Sequence, residues 1–324
     1  MSNPLPSSAQ AAHFLKTAER QRTQDWLFHR LTQVFSLMVL LALAGIIVSL
    51  FINAWPTFAK FGARFIWYVE WDIINEEFGA AIAIVGTVAS AGLAMLIAVP
   101  LSFGIAVFLT ETCPVWLRRP LGTAIELLAA VPSIIYGMWG FFVIAPAFAQ
   151  NIQPWIIENI GELPLIGFLF QGAPFGTGLF TAAFILAIMI LPFIAATMRD
   201  VFEQVPPVFK ESAYGLGATK WEVMKGVVLP YTRISVVGGI MLGLGRALGE
   251  TMAVTFVIGN ANRISTSLFG PGNTIASLVA LEFGESEIGS LKLASLLALG
   301  FILFLLSFVV LATSRYLLRS RLKV

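Results

Sequence analysis

Cysteine and histidine are almost absent from this sequence of 324 residues, which contains one cysteine, Cys113, and two histidines, His13 and His29. A single cysteine excludes a disulfide within the chain, and so few Cys and His residues cannot supply the usual ligand set of a structural zinc site. Both histidines precede the first apolar run, where we expect a solvated tail. No Ser/His, His/Asp or metal-ligand grouping lies in the apolar runs, so the sequence predicts neither a catalytic centre nor a metal site.

Charged residues are also scarce, at 12% of the chain, against 58% hydrophobic residues and a mean hydropathy of +0.86. Ordinary soluble domains carry about 25% charged residues, so this composition excludes that class. A helix needs ~20 residues to cross the hydrocarbon core of a bilayer. The sequence predicts an all-α integral membrane protein with six transmembrane helices, at about residues 33–54, 79–110, 123–149, 178–198, 234–259 and 291–314.

The distribution of lysine and arginine predicts the orientation of these helices. Alternate segments (the N-terminus, 111–122, 199–233 and 315–324) hold 15 of the 20 Lys and Arg residues, and the opposite segments hold 4. Short cytoplasmic segments carry an excess of positive charge, so we expect both termini in the cytoplasm. We expect no cleavable signal peptide, because the first run lacks a small-residue cleavage pattern and would remain as an anchor.

The sequence also lacks a nucleotide-binding loop. No GxxxxGK[ST] sequence occurs, and "GLGATKW" (215–221) lacks the terminal Gly-Lys pair. "GLGRALG" (243–249) is a near miss for a dinucleotide loop, but its spacing is wrong and no strand precedes it. The chain therefore cannot hydrolyse ATP by itself.

The segment 199–233 is the longest charged stretch between apolar runs. Pro206 and Pro207 would end the preceding helix. The sequence then predicts a short helix from Lys210, a turn at 215–217, and a second helix from about 219 to Pro230. A helix–turn–helix facing the cytoplasm suits docking onto a partner protein, and the alternative is a solvated connecting loop.

"ESAYGLGATKWEVMKGVVLP" (211–230) resembles the EAA loop of ABC-importer membrane subunits, in which EAA is followed at fixed spacing by Gly, Ile and Leu-Pro. The positions that match this pattern are Glu211, Ser212, Ala213, Gly217, Val227, Leu229 and Pro230. The resemblance implies that this loop couples the chain to a separate ATPase subunit, with Gly217 in the turn between the two helices.

The resemblance extends to the phosphate-specific importers within this family. It rests on "IELLAAVPSIIYGMWG" (125–140), "MRDVFEQVP" (198–206) and "GGIMLGLGRALGETMAVTFVIGN" (238–260), with "RPLG" (119–122) and "PGN" (271–273). It implies a multi-pass permease subunit of the bacterial inner membrane, with the transmembrane fold of type I ABC importers, that imports inorganic phosphate. It covers most of the chain from about residue 35.

The same resemblance implies partners and a division of the chain. A homologous second permease (the PstA kind) would complete the pore, an ATPase dimer (PstB-like) would bind ATP and Mg, and an extracytoplasmic phosphate-binding protein (PstS-like) would deliver phosphate. No cofactor is expected in this chain. The divisions are a cytoplasmic arm at 1–32, the first transmembrane helix and outer loop at 33–78, the importer transmembrane domain at 79–314 with its coupling loop at about 204–233, and a basic tail at 315–324.

Arg246 and Glu250 are charged residues inside the fifth apolar run, where a charge at the bilayer centre costs roughly 2.5–3.5 kcal/mol on insertion scales. Four residues apart in a helix, they would share one face. One interpretation is a structural pair that fixes helix packing. The other places both on the substrate path, because Arg presents several N–H donors to a phosphate and Glu250 could hold Arg246 or accept from hydrogen phosphate. The resemblance favours the path.

Three further residues are weaker candidates for the path: Glu126, Ser133 and Tyr136. Glu126 is expected at the start of the third helix, where a carboxylate is favoured electrostatically without any functional role. Pro132 should kink that helix and free backbone carbonyls beside Ser133 and Tyr136. Around Arg246, Gly239 and Gly243 have the GxxxG spacing of closely packed membrane helices, as do Gly245 and Gly249.

Two alternatives to phosphate import remain open from the residues. An EAA loop does not encode the substrate, so the chain could be an ABC permease for another oxyanion or small solute. An ion-coupled secondary transporter or an intramembrane enzyme is a different class. The former would not need an EAA loop, and the latter would need a catalytic cluster.

Overall fold

The computed structural model describes residues 8–164 and 166–320, with side chains described at 24–164, 166–314 and 316. Residues 321–324 of the predicted basic tail, the side chains of its other residues except Tyr316, and the side chains of the predicted arm before residue 24 therefore lie outside the described residues. The expected all-α architecture with six membrane-spanning helices is confirmed. The segments long and apolar enough to cross a membrane are Gln24–Phe61, Ala81–Thr112, Ser133–Ile160, Leu179–Glu203, Lys220–Leu248 and Leu291–Ser314.

The helices are numbered in chain order. They are α1 (Ser8–Phe61), α2 (Arg64–Trp67), α3 (Ala81–Val107), α4 (Val115–Ala130), α5 (Ser133–Trp139), α6 (Ala145–Ala147), α7 (Gln153–Ile160), α8 (Leu179–Glu203), α9 (Pro207–Gly215), α10 (Lys220–Val223), α11 (Leu229–Leu248), α12 (Met252–Val257), α13 (Ile275–Glu282) and α14 (Leu291–Ser320). Turns of π-helix join several of them, at Phe108–Thr112, Gly140–Ile144, Phe148–Ile152 and Met224–Val228. Short 3₁₀ segments lie at Gly167–Phe170 and Phe283–Glu285, and a hairpin pairs β1 (Trp71–Asp72) with β2 (Glu77–Phe78).

The chain divides into two compact units, residues 1–53 and 54–324. In the first unit, α1 is continuous from Ser8, so residues 8–32 are helical and no structural break separates the predicted arm from the first apolar run. The predicted end of that run at about residue 54 is also early, because α1 continues to Phe61. Pro56 lies inside this helix.

The core of the second unit is built around α8. Its side chains Ile185, Met189 and Ile194 are completely buried. Small residues on α3 face this core, among them Ala91 and Ala98, and they allow two helix backbones to approach closely. The Ser102 hydroxyl of α3 donates a hydrogen bond of 2.9 Å to the Leu191 carbonyl of α8, which adds a polar link between the two helices.

A second apolar cluster lies beside the hairpin, and we call this part of the molecule the hairpin end. Phe65 and Phe78 are buried there, together with residues of α13 and α14. The Glu282 carboxylate accepts a hydrogen bond of 3.0 Å from the Trp71 indole and lies 3.4 Å from the Lys292 ammonium. One carboxylate thus connects the hairpin with α13 and α14.

The third and fifth spans are interrupted, and their predicted limits are wrong. α4 ends at Ala130, Val131 and Pro132 are extended, and the spanning helix begins at Ser133 rather than near residue 123. The residue before a proline is biased away from helical dihedrals, which explains a break in place of the predicted kink. The fifth spanning helix begins at Lys220 and ends at Leu248, rather than running over 234–259.

Two glycines on α3 give a matched test of close packing. A Cβ at Gly86 would overlap the backbone carbonyl of Asn273, whereas a Cβ at Gly92 would meet nothing within 4 Å. We expect Gly86→Ala to lower the free energy of unfolding by about 1–3 kcal/mol, because backbone must move to admit the methyl group. Gly92→Ala should be neutral or slightly stabilising. Thermal unfolding in detergent checks this, and equal melting temperatures for the two variants would contradict it.

Candidate functional site

The two interrupted spans lie against each other. A Cβ at Gly137 of α5 would be 2.9 Å from the Cα atom of Ala253 and 3.2 Å from the Met252 carbonyl oxygen, both on α12. The helix backbones are therefore in contact just after each interruption. Non-helical backbone at membrane depth is tolerated where protein or a cavity covers it, so this junction is the place to look for a polar path.

Arg246 lies in the last turn of α11, just before the interruption of the fifth span. Its guanidinium carbon is 5.6 Å from the centroid of the Phe193 ring on α8, a cation–π arrangement. Among the described residues, no carboxylate lies within ion-pairing distance of Arg246. Arg246 is half-buried.

Glu250 does not share a helix face with Arg246, so that expectation is wrong. α11 ends at Leu248, and Glu250 lies in the interruption before α12. Its Oε1 atom accepts a hydrogen bond of 3.1 Å from the Ala253 backbone N–H, in the first turn of α12. Glu250 thus satisfies a backbone donor that the interruption leaves without a helical partner. It does not neutralise Arg246 in this structure.

Tyr136 spans the interruption between α4 and α5. Its hydroxyl donates a hydrogen bond of 2.9 Å to the Leu128 carbonyl, in the last turn of α4. Ser133 is the first residue of α5, and both side chains are half-buried. Pro132 therefore places Tyr136 where its hydroxyl contacts the end of α4.

Glu126 is not at the start of a helix, which corrects the expectation for this residue. It lies in the second half of α4, with its side chain 55% exposed, and Arg199 of α8 donates to its Oε1 atom at 2.6 Å. The same guanidinium is 2.7 Å from Asp200 Oδ1. Gly122 makes room for Arg199, because a Cβ there would be 2.6 Å from its Nη1 atom. Glu126 fixes α4 on α8 and is separated in role from the Arg246 junction.

The two GxxxG pairs around Arg246 differ in their surroundings. A Cβ at Gly239 would be 2.9 Å from Thr197 Cγ2, and one at Gly243 would be 2.6 Å from Ile194 Cγ1. This pair packs α11 on α8 within the chain. A Cβ at Gly245 would meet nothing within 4 Å, and one at Gly249 only its own helix at 3.8 Å. The second pair therefore leaves an open surface beside Arg246.

The predicted helix–turn–helix at 199–233 is present. α9 ends in two backbone hydrogen bonds, from Gly217 N–H to the Tyr214 carbonyl at 2.9 Å and from Ala218 N–H to the Ala213 carbonyl at 3.1 Å. This is the Schellman arrangement, in which Gly217 takes the left-handed position with φ of +89°. Thr219 and Glu222 then form a capping box that begins α10. The C-cap of α9 and the N-cap of α10 are therefore adjacent, and the turn between the two helices is short.

The predicted coupling residues divide into two groups. Glu211 and Ser212 are exposed on α9, and Leu216 at the turn is 90% exposed. Ala213 packs against the core. Leu229 and Pro230 do not end the second helix, which continues through them into the fifth span, and the predicted loop end at about 233 is too late. The π turn Met224–Val228 precedes Pro230, and its wider ring accommodates a residue with no N–H.

Sequence reasoning missed the residues that hold α9 against the second span. The Lys210 ammonium is 2.6 Å from Glu111 Oε1, and the Tyr214 hydroxyl donates to Glu111 Oε2 at 3.4 Å. Glu111 is 99 positions from Lys210, so no local spacing links them. The only signal was the presence of a carboxylate and a lysine on segments predicted to lie on the same side of the membrane.

The chain is similar to known transport proteins over most of its length. Residues 98–323 match the family model "Binding-protein-dependent transport system inner membrane component". The phosphate transport system permease protein PstC of Pasteurella multocida is 59% identical over 91% of this chain and 91% of that protein. PstC of Haemophilus influenzae is 53% identical over 93% of this chain and 96% of that protein.

Solved structures show the same fold at low sequence identity. A bacterial alginate ABC transporter in complex with an alginate pentasaccharide-bound periplasmic protein aligns with a TM-score of 0.61, at 17% identity over 94% of this chain and 98% of that chain. The MetNI methionine ABC transporter, in an inward-facing conformation, aligns with a TM-score of 0.53, at 16% identity over 74% of this chain and 94% of that chain.

Removing the Tyr136 hydroxyl tests its role at the interruption. We expect Tyr136→Phe to lower the free energy of unfolding by about 0.5–1.5 kcal/mol, because the Leu128 carbonyl loses its side-chain donor. Tyr231→Phe is the matched control, since that residue is exposed and its ring contacts Phe209. Thermal unfolding of the two variants measures the difference. A Tyr136→Phe protein as stable as the control would contradict the assignment.

Proposed function

The chain belongs to the family of binding-protein-dependent transport system inner membrane components and, within it, to the phosphate transport permeases named PstC, and we propose that it carries inorganic phosphate into the cytoplasm as one permease subunit of an ATP-driven importer. It is a multi-pass inner-membrane protein and a transporter component rather than an enzyme. We place both termini in the cytoplasm, following the positive-inside distribution.

The position of Arg246 is the main observation that supports the proposed substrate path. Its guanidinium lies within a membrane span, is half-buried against Phe193, and has no carboxylate partner among the described residues. A charge in this setting is costly unless a partner arrives, and such residues mark ion and substrate paths. Phosphate is a fitting partner, because guanidinium donates two parallel hydrogen bonds to its oxygens.

Glu250 and Tyr136 complete the proposed path on either side of Arg246. Glu250 Oε1 accepts from Ala253 N–H, while the other carboxylate oxygen accepts no hydrogen bond from the described residues and is available to accept from the protonated oxygen of hydrogen phosphate. Tyr136 precedes Gly137, the residue at which α5 contacts α12. Ser133 precedes it by one helical turn. Glu126 belongs to the α4–α8 contact and is not part of the proposed path.

The coupling loop supports an ATPase partner. The exposed side of α9 and its turn presents Glu211, Ser212 and Leu216 to a partner. A short helix with an exposed apolar tip can lie in a groove of another protein. We propose that this partner is an ATPase dimer (PstB-like), which binds the ATP and Mg that this chain has no loop to hold.

Two further partners are proposed from the remaining surfaces. The open glycine surface at Gly245 and Gly249 suits close approach of a homologous second permease (PstA-like) beside Arg246. At the hairpin end, Asp72 accepts hydrogen bonds from the Asn75 side chain and from the backbone of Asn75 and Ile74, which lower its pKa and keep it negative. With Glu70, Glu76 and Glu77 it forms an acidic surface for an external phosphate-binding protein (PstS-like).

Arg246→Gln in the complete complex tests the path. We expect phosphate uptake to fall by about 10- to 100-fold, because a charge-assisted hydrogen bond contributes roughly 1.5–3 kcal/mol. Arg246→Lys should recover uptake only in part, since it keeps the charge without the two-pronged geometry. Arg119→Gln is the control, at an exposed cation of α4. The measurement is uptake of labelled phosphate into vesicles with ATPase activity recorded in parallel.

Uptake by Arg246→Gln at the rate of the Arg119→Gln control would remove Arg246 from the path. Unlabelled sulfate and molybdate are added in separate assays to wild type. If either competes as strongly as phosphate, the chain serves a broader set of oxyanions and the phosphate assignment is wrong.

Gly217→Ala tests the docking turn. An L-residue in the left-handed region costs about 1–2 kcal/mol, so the turn should be strained and less of the ATPase should remain with the purified complex. Gly215→Ala is the matched control, because Gly215 is helical and a Cβ there meets nothing within 4 Å. Full retention of ATPase and normal transport by Gly217→Ala would contradict the docking assignment.

A further inference from the structure

An ion pair joins α9 to the end of the second span. Glu111 and Lys210 approach to 2.6 Å, and their side chains are only 8% and 19% exposed. The Tyr214 hydroxyl donates to the second oxygen of the same carboxylate at 3.4 Å. Both oxygens of one nearly buried carboxylate are thus held by residues of α9. Among the described residues, this is the one ion pair that α9 forms.

The residues that hold Glu111 define an inner face of α9. Lys210 and Tyr214 are four residues apart, and Ala213 between them packs against the core. Glu211 and Ser212 lie on the exposed part of the helix. One face of α9 is therefore fixed to the membrane domain, while the opposite face is free to bind a partner. This arrangement allows α9 to transmit a movement of the partner to the membrane domain.

Glu111 belongs to a π turn rather than to regular helix. The turn Phe108–Thr112 follows α3 directly, and Cys113 N–H closes it with a hydrogen bond of 2.7 Å to the Phe108 carbonyl. On its other side, Arg118 of α4 donates to the Thr110 carbonyl at 2.9 Å. The turn is therefore held by α9 through Glu111 and by α4 through Thr110. Single π turns within helices occur frequently at functional sites.

A purely structural role would be met more simply by apolar residues. Taking two charges out of water carries a desolvation penalty, and replacing a buried ion pair with apolar side chains is often neutral or stabilising. An ion pair differs from an apolar contact in fixing direction and distance, and it resists separation without water entry. These properties suit transmission of a displacement between helices.

We propose that Glu111 is a positioning residue for coupling: its ion pair with Lys210 transmits movement of α9 to the π turn at the end of the second span. The inference rests on the proposed function, in which an ATPase moves α9. Glu111 touches no substrate in this account. It acts through the turn and through α4, whose far end contacts Tyr136.

A charge swap tests the ion pair in the complete complex. We expect Glu111→Lys and Lys210→Glu each to lower the phosphate taken up per ATP hydrolysed by about tenfold, and the double variant to recover most of it. Lys225→Glu is the control, because Lys225 is exposed in the same loop and forms no ion pair among the described residues. Single variants with wild-type coupling, or a double variant no better than either single, would overturn the proposal.

A second measurement requires neither phosphate uptake nor charge-reversing substitutions. Cys113, the only cysteine of the chain, is 5% exposed and closes the π turn, so its labelling by a small thiol reagent reports the turn. We expect the labelling rate, followed by mass analysis of this chain, to change when ATP and Mg are added to wild-type complex. The change should be lost in Lys210→Met and kept in Lys225→Met.

The two measurements separate the inference from the proposed function. A nucleotide-dependent labelling change that needs Lys210 supports transmission through the Glu111–Lys210 pair, even if the wild-type complex transports no phosphate. In that case the proposed substrate is wrong. If ATP does not alter the labelling rate of Cys113 in wild type, or if the rate in Lys210→Met responds as in wild type, transmission through the ion pair is overturned. The proposal of phosphate transport is unaffected by either result.

Discussion

The structure depends on one constraint: within hydrocarbon, backbone N–H and C=O groups must find partners inside the protein. Among the described residues of the third and fifth spans, helices meet this constraint except at two interruptions, Val131–Pro132 and Gly249–Thr251, and the helices that follow them, α5 and α12, are in contact at Gly137. Side chains supply the missing partners there, Tyr136 for the Leu128 carbonyl and Glu250 for the Ala253 N–H. Two residues of the proposed path, Tyr136 and Glu250, therefore also stabilise the interruptions.

Close packing sets where the interruptions can lie. Small residues of α3 and glycines of α11 bring both helices onto α8, and Phe193 of α8 then lies under the Arg246 guanidinium. At the coupling-loop end, the ion pairs Arg199–Glu126 and Lys210–Glu111 fix α4 and α9 to the same core. Three contacts thus connect α9 with α5, the helix that carries Tyr136: Lys210–Glu111, Arg118–Thr110 and Tyr136–Leu128. Transport requires such a connection between the ATPase side and the path.

The sequence predicts the parts of this fold that depend on composition and local chemistry. Six apolar runs give six spanning segments, and Gly217 is correctly placed in the turn after α9 because a left-handed position favours glycine. Interruptions are harder to predict, because an isolated glycine such as Gly249 is tolerated within a helical pattern and does not by itself fix the end of α11 at Leu248. The Glu111–Lys210 pair could not be predicted at all, since its partners meet only after the second span and α9 pack together.

Contact between phosphate and the Arg246 guanidinium is the central claim of this account. Solid-state NMR can measure it directly in the complete complex, as dephasing of guanidinium ¹⁵N signals by the ³¹P nucleus of bound phosphate. The account predicts dephasing of one arginine in wild type and its disappearance in Arg246→Lys. Dephasing that persists unchanged in that variant, or that is absent from wild type with phosphate bound, would contradict the claim and place recognition elsewhere in the importer.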